Sequence, residues 1–309
     1  MKIAVMGIGG VGGYIGAFLA REYEHSDSVE IYFIARGENE KSIRHQGISV
    51  ESSLGNFIAF PKKTVSESAS LETVDLLICC TKNYDLEQSI LENKSCIGPD
   101  TIILPLLNGV NSAELIKNLL PANEVWEGCI YIVSQLVKPG FVQETGKSVK
   151  LYFGSPDGDQ TKLKKIAGLF QKANLQALVP DNILVTIWEK FICISVFATI
   201  TSYLDSQIGP ILSDKEQQKL VYALLDEVIA LAKARNLALS EDIFQKTLSI
   251  ITGFPSDATS SMHLDFKKGK KTELEYLTGY VVRSGESLNI PLPLYQKMYL
   301  ALKERNVPD

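Results

Sequence analysis

Met1-Lys-Ile-Ala-Val-Met-Gly7-Ile-Gly9-Gly-Val-Gly12-Gly-Tyr-Ile-Gly16 opens the chain, and its reading decides the fold. A short apolar run, residues 2–6, passes straight into a glycine-rich turn, and residues 14–23 continue with helical periodicity. Gly7, Gly9 and Gly12 fit G-x-G-x-x-G. The first glycine can make the tight turn, the second lets the backbone approach a pyrophosphate, and the third lets the following helix pack on the strand. That helix begins with unpaired N–H groups and a positive dipole end, both suited to phosphates. A glycine-rich turn alone is a weak signal, but here a strand precedes it and a helix follows. The motif predicts a dinucleotide-binding loop.

The next strand, residues 29–34, indicates which dinucleotide. An NAD site usually ends this strand with an acid that accepts hydrogen bonds from the ribose hydroxyls. Here the tip reads Ala35-Arg36-Gly37. Arg36 offers a planar, permanently charged fork suited to a 2′-phosphate, which a carboxylate would repel. The plainer reading is a solvated surface arginine with Glu38 close by. The tip favours NADP(H), and Arg36 is the candidate phosphate ligand.

The chain has 309 residues, enough for two domains that each bury a sizeable core. Hydrophobic residues make up 45% and charged residues 22%, an ordinary globular balance. A net charge of −5 argues against a polyanion such as nucleic acid as the main partner. Cys79, Cys80, Cys96, Cys129 and Cys193 are odd in number and form no C-x-x-C, so buried thiols are the simplest reading. His25, His45 and His263 are too scattered to suggest a metal cluster, and no metal is expected. A strand beginning at residue 2 leaves no room for a leader. The longest apolar run, residues 191–200, suits a buried helix better than a membrane span. A cytoplasmic location follows as an expectation.

The first half alternates strand-like and helix-like runs, as a parallel α/β sheet does. Strands are expected at residues 2–6, 29–34, 75–80, 101–107 and 125–133, with a hairpin-like excursion formed by 47–50 and 56–60. After the turn Lys138-Pro139-Gly140, residues 141–143 and 149–153 read as antiparallel edge strands. A helix at 163–171 precedes a boundary at Val179-Pro180. Beyond it, helices are expected at 183–204, 215–235, 240–252, 272–288 and 294–304. The architecture is therefore α/β: an N-terminal Rossmann-type doubly wound sheet, residues 1–179, that binds NADP, and a C-terminal all-α domain, residues 180–309, that binds substrate. The active site is expected in the cleft between them.

Several side chains are placed for chemistry. Lys82 and Asn108 each follow a strand, where ligands of open α/β sheets bind. Each has a plain alternative, a solvated loop lysine and a turn residue before Gly109. Lys190 lies among Trp188, Phe191, Ile192, Ile194, Val196, Phe197 and Ile200, in a stretch apolar on nearly every side. A helix of that kind is buried, so an ammonium on it belongs at an end or in a cleft. There it could protonate an oxygen as hydride reaches the adjacent carbon. Pairing with an acid is the structural alternative. Thr272 reads as a helix N-cap with Glu273 in the first turn, a placement that does not by itself make Glu273 functional.

Taken together, Met1–Gly12 with Arg36, the Lys82 and Leu107-Asn108-Gly109 turns, Trp188-Glu-Lys190-Phe, and Ser260-Ser261-Met262 followed by Thr272-Glu273 resemble the ketopantoate reductase family. The likeness spans both domains in order. It implies reduction of 2-dehydropantoate to pantoate with NADPH, a step toward pantothenate and coenzyme A. By the same resemblance, Lys190 is the proton donor and Glu273 meets the substrate hydroxyl. Ser261 meets the substrate carboxylate, and Lys82 and Asn108 flank the nicotinamide and the substrate. The chain departs from the family pattern at Ile194, Ala198 and Ala258, where the resemblance leads one to expect asparagines. A paralogue acting on a more apolar 2-oxo acid, or an NADP-sensing binding protein without turnover, are the competing readings. The expected partner is a small 2-oxo acid, with neither nucleic acid nor membrane, and with a homodimer left open.

Overall fold

The computed structural model describes residues 1–146, 148–156 and 158–305. Contacts divide the chain into two units. One comprises Met1–Leu107 and Asn111–Ile183; the other comprises Asn108–Val110 and the chain from Leu184 onward.

The first unit is built on five parallel strands in the spatial order Lys63–Val65, Glu30–Ile34, Lys2–Met6, Val74–Cys79 and Ile97–Pro105. The order reverses direction on either side of Lys2–Met6, which creates a crevice beyond its carboxyl end. Alternation of side chains sends Ile3, Val5, Ile31, Phe33, Leu76 and Ile78 into one apolar cluster. Ala4, Met6, Tyr32, Ile34, Leu77 and Cys79 enter a second cluster. Both faces are buried, as a sheet wound on both sides requires. This is the Rossmann-type sheet that the sequence predicts.

Two smaller sheets extend the unit. In one, Phe57–Ala59, Ile48–Glu51, Phe141–Glu144 and Ser134–Lys138 lie side by side; in the other, Ala177–Leu178, Lys150–Gly154 and Glu127–Tyr131 do so. Two expectations are corrected here. Residues 141–144 and 150–154 are interior strands, each with one parallel and one antiparallel neighbour. Residues 125–133 also do not form one strand. Pairing with Lys150–Gly154 ends at Tyr131, and the chain then crosses to the other sheet as Ser134–Lys138.

The second unit is helical and centres on Ile183–Tyr203. Twenty-one residues long, as the expected helix 183–204 implies, and with an 18-residue window of mean hydropathy 1.9, this helix is long and apolar enough by composition to cross a membrane, yet 67% of that window is buried within the protein. Trp188, Phe191, Ile192, Val196 and Ile200 are buried against Lys215–Ala234, Ile243–Thr252, Thr278–Leu288 and Pro293–Arg305. The expected helix 272–288 begins only at Thr278, with Leu277 rather than Thr272 as its N-cap. Residues 272–277 are held as a turn: the Thr272 hydroxyl accepts from the Leu274 N–H, and Arg283 and Tyr299 both hold the Glu275 carboxylate.

Glu127, at the start of its strand, carries the pH signature of the first unit. Burial, with the Glu114 charge adding to it and the Lys117 charge opposing it, pushes its carboxyl up to about 7 from 4.5. The folded state therefore binds this proton more tightly than the unfolded chain. The contribution is fully present below pH 4.5 and is lost as pH rises through 7. Glu127→Gln should gain about 1–3 kcal/mol over the parent between pH 5 and pH 8.5. Thermal melts at the two pH values measure this, and an equal difference at both would remove Glu127 as the cause.

Candidate functional site

The glycine loop is shaped by contacts a side chain would break. Gly7 has φ +90°, and a Cβ there would meet the Thr81 nitrogen at 2.6 Å. A Cβ on Gly12 would overlap the Gly7 carbonyl oxygen, and one on Gly10 would lie 2.5 Å from the Ser134 carbonyl oxygen. Gly13 faces Val142, and Gly16 faces the Phe33 ring. Small residues thus let the helix Gly10–Tyr23 lie flush with the parallel sheet on one side and the four-stranded sheet on the other.

Gly9 is different. A Cβ there would meet nothing within 4 Å, so the protein's own packing does not require glycine at this position. Gly9 caps the helix without a side-chain hydrogen bond, which leaves the first N–H groups for a ligand. Close by, the hydroxyls of Thr81 and Ser134 are buried without a hydrogen-bond partner among the described residues. Unpaired buried hydroxyls beside an open glycine and a bare helix N-terminus suit a polar, anionic ligand such as a dinucleotide pyrophosphate.

Asn39, which is not among the residues singled out from the sequence, fixes the loop from the other side. Its amide nitrogen donates to the Ile8 carbonyl at 2.6 Å, and its oxygen accepts from the Gly140 N–H at 2.8 Å. One side chain thereby ties the glycine loop to the turn after Ser134–Lys138. The only available signal was a polar residue near a helix start, which is commonplace.

Arg36 stands at the tip of Glu30–Ile34, as expected, but its partner is not Glu38, which pairs with Lys41. Its Nη2 donates to the Glu92 carboxylate at 2.5 Å and to the Ser89 hydroxyl at 3.3 Å. Lys82 follows Val74–Cys79, half-buried, and its carbonyl accepts from the Asp85 N–H to open a short 3-10 turn.

In the helical unit, Lys190 is 8% exposed, and its ammonium donates to the Asn108 side-chain oxygen at 3.1 Å. Two residues selected separately are thus brought together across 82 positions of sequence. Asn108 is not among the non-glycine residues with positive φ; Gly109 takes that conformation, with φ +107°. The turn therefore does not demand asparagine at 108, and its side chain serves the ammonium. Ile194 and Ala198 follow Lys190 at helical spacings of four and eight, so an apolar stripe continues from the cation.

Ser261 and Glu273 lie on separate segments, and both segments are tied to the Lys190 helix. Ser260 caps Ser261–Lys267, and its hydroxyl lies 2.8 Å from that of Thr201. Thr278, which opens the helix after the Glu273 turn, lies 2.7 Å from Thr199. Ser261 is exposed, whereas Glu273 is only 4% exposed. His263 is buried between the Asp205 carboxylate and the Thr259 hydroxyl, which orients the same short helix.

Thiol and metal chemistry find little footing. All five cysteines are free; burial pushes the Cys80 and Cys193 thiols up to about 12 and raises Cys79 and Cys96 as well. Among the described residues no group of three or more His, Cys, Asp and Glu could hold a metal ion.

Comparison with known proteins identifies the family. The family described as ketopantoate reductase PanE/ApbA matches residues 3–158, and its C-terminal counterpart matches residues 182–306. The oxidoreductase YkpB of Bacillus subtilis (strain 168) is 25% identical over 98% of both chains. The crystal structure of 2-dehydropantoate 2-reductase from Porphyromonas gingivalis W83 is 37% identical, with a TM-score of 0.86 over 98% of this chain and 99% of that one. A ternary structure of D-mandelate dehydrogenase with NADH and anilino(oxo)acetate is 25% identical, with a TM-score of 0.86 over 99% and 98% of the two chains. The chain belongs to the ketopantoate reductase family of oxidoreductases.

Proposed function

We propose that the protein is an NADPH-dependent reductase of 2-oxo acids, with 2-dehydropantoate as its first candidate substrate and pantoate, a precursor of pantothenate and coenzyme A, as the product. The observation that carries this reading is the buried Lys190 ammonium, hydrogen-bonded to Asn108 and the only cation on a helix whose one other charge is Glu189. A cation held in low dielectric is suited to an oxygen on which negative charge develops.

When bound, the reduced nicotinamide supplies the hydride that forms the new C–H bond at the carbonyl carbon. The chain's part concerns the oxygen. As the C=O π pair moves onto it, Lys190 gives that oxygen a proton and is later reprotonated from solvent. The products are the 2-hydroxy acid and the oxidised cofactor. Asn108 keeps the ammonium in place, Glu273 receives the substrate hydroxyl and Ser261 its carboxylate. Gly7, Gly9 and Gly12 take the pyrophosphate, Lys82 the nicotinamide side, and Arg36 the 2′-phosphate. The name of the P. gingivalis relative supports the substrate, and the NADH held by D-mandelate dehydrogenase supports a nicotinamide cofactor.

A second reading is favoured by the stripe beside Lys190. Ile194 and Ala258 are half-buried and Ala198 is buried, so these positions offer a substrate hydroxyl no partner. Specificity for a hydroxyl rests on pairing it, and a wall without amides suits a more apolar 2-oxo acid. NADPH consumption with 2-dehydropantoate, beside a panel of 2-oxo acids lacking the terminal hydroxyl, separates the two readings. A clearly higher kcat/KM for 2-dehydropantoate selects the first, and the reverse selects the second.

Two sets of variants test the machinery. Lys190→Ala should lose roughly 10²–10⁴-fold in kcat with NADPH affinity nearly unchanged. A folded variant within a few-fold of the parent would remove Lys190 from the chemistry. Gly9→Ala should cost at most about 1 kcal/mol of stability yet weaken NADPH binding by about tenfold or more. Gly12→Ala should destabilise the fold by about 1–3 kcal/mol through overpacking. Melting temperatures and cofactor titrations distinguish the two glycines, and equal effects on both readouts would count against the loop assignment.

A further inference from the structure

We propose that Glu92 is a cofactor-specificity residue: it supplies to the Arg36 strand tip the acid that the tip itself lacks, and so restrains the preference for NADPH over NADH. The proposal rests on the reading of Arg36 as the 2′-phosphate ligand.

The geometry is that of a built pair. Arg36 Nη2 donates to Glu92 Oε2 at 2.5 Å, and Gln88 Nε2 donates to Glu92 Oε1 at 2.8 Å. Ser89 adds its hydroxyl to the same Nη2 at 3.3 Å. Gln88, Ser89 and Glu92 are at i, i+1 and i+4 on Leu86–Glu92, so one short helix presents all three groups to the strand tip. Arg36 and Glu92 come from different βα units, 56 positions apart, which separates this contact from an incidental neighbour pair on one helix. Both side chains remain accessible, at 57% and 41% exposure, so an adenosine ribose can reach them.

The chemistry gives the pair two faces. The described contacts use only Nη2 of the guanidinium, which leaves Nη1 and Nε to receive a phosphate. The carboxylate beside it repels that phosphate, yet accepts hydrogen bonds from a free 2′-hydroxyl, as a strand-tip acid does in an NAD site. A half-exposed ion pair is weak, so a phosphate dianion can still bind, but against a like charge a few ångströms away. Arg36 alone would give a steep NADPH preference. Arg36 held by Glu92 gives a shallow one, in which both cofactors bind.

The test uses the adenosine end of each cofactor, free of any turnover. Dissociation constants are measured calorimetrically for adenosine 2′,5′-bisphosphate and for AMP, and by fluorescence titration for NADPH and NADH. The parent, Glu92→Gln, Glu92→Lys and Arg36→Ala are compared at low and at high salt, with melting temperatures as a check on folding. Glu92→Gln should tighten the bisphosphate by about three- to tenfold and leave AMP unchanged or weaker. Glu92→Lys should widen the ratio further, and added salt should narrow it. If Glu92→Gln leaves the bisphosphate-to-AMP ratio within twofold of the parent while Arg36→Ala collapses it, the proposal fails and the NADPH reading stands. If Arg36→Ala also leaves the ratio unchanged, both fail together.

Discussion

Burial of the helix Ile183–Tyr203 is the constraint on which the helical unit depends. A helix surrounded by other helices can leave no polar side chain unpaired without a cost of about 1–3 kcal/mol for each one. Ser195 meets Tyr295, Thr199 meets Thr278 and Thr201 meets Ser260, all at hydrogen-bond distance. These pairs are directional where apolar packing is not, so they fix the rotation and axial position of the helix. Lys190 is carried on that fixed frame and is met by Asn108. The same pairs anchor the start of the segment bearing Ser261 and the end of the turn bearing Glu273. The proposed proton donor and substrate ligands are thereby referred to one rigid element.

The first unit obeys a different rule. Its central helix, Gly10–Tyr23, is packed so closely that side-chain volume decides everything. Gly10, Gly12, Gly13 and Gly16 each face an atom that a Cβ would strike. Gly9, in the middle of this crowding, faces open space. The contrast distinguishes glycines that the packing needs from one that it does not. Asn39 then prevents the loop from drifting, because the Ile8 carbonyl and the Gly140 N–H share its amide.

What the sequence disclosed follows from the range of the interactions involved. The strand Lys2–Met6, the glycine turn and the long helices of the second unit are decided by neighbours a few residues apart, and periodicity reads them directly. Lys63–Val65, Ser134–Lys138 and Ala177–Leu178 are short strands made by their partners in space, and no local pattern announces them. The expectation of edge strands at 141–143 and 149–153 fails because these neighbours are not visible locally. Thr272 has the residue type of an N-cap, yet Arg283 and Tyr299 hold the intervening chain in a turn, a tertiary override of local preference. Lys190 and Asn108 were legible as individual residues, but their contact was not. Ser195, Thr199 and Thr201 were visible as polar residues on an apolar helix; only the facing hydroxyls reveal what they do. Glu92 and Asn39 carried no signal, since an acid at a helix end and an asparagine in a first turn are common for local reasons.

Reaction class and substrate are set by different physics in this chain, which is why one reads more clearly than the other. A hydride transfer to a carbonyl needs a bound dinucleotide and a proton source, and each demands unusual residues: an open glycine at a bare helix end, and a buried ammonium. Such features are costly to keep for structural reasons alone, so they point to their use. Substrate choice depends instead on small changes in an ordinary wall. Half-buried Ile194 and Ala258 and buried Ala198 are unexceptional beside the helical core, and an aliphatic side chain at such positions offers no hydrogen bond. A wall of this kind discriminates sharply when it pairs a hydroxyl and weakly when it merely excludes one. With aliphatic side chains at these three positions, selectivity in the proposed reaction rests on shape and on the two residues proposed to meet the substrate, Glu273 and Ser261. An apolar stripe beside Lys190 therefore constrains the proposed chemistry very little and, lacking a hydroxyl partner, favours a broad rather than a sharp choice of oxo acid.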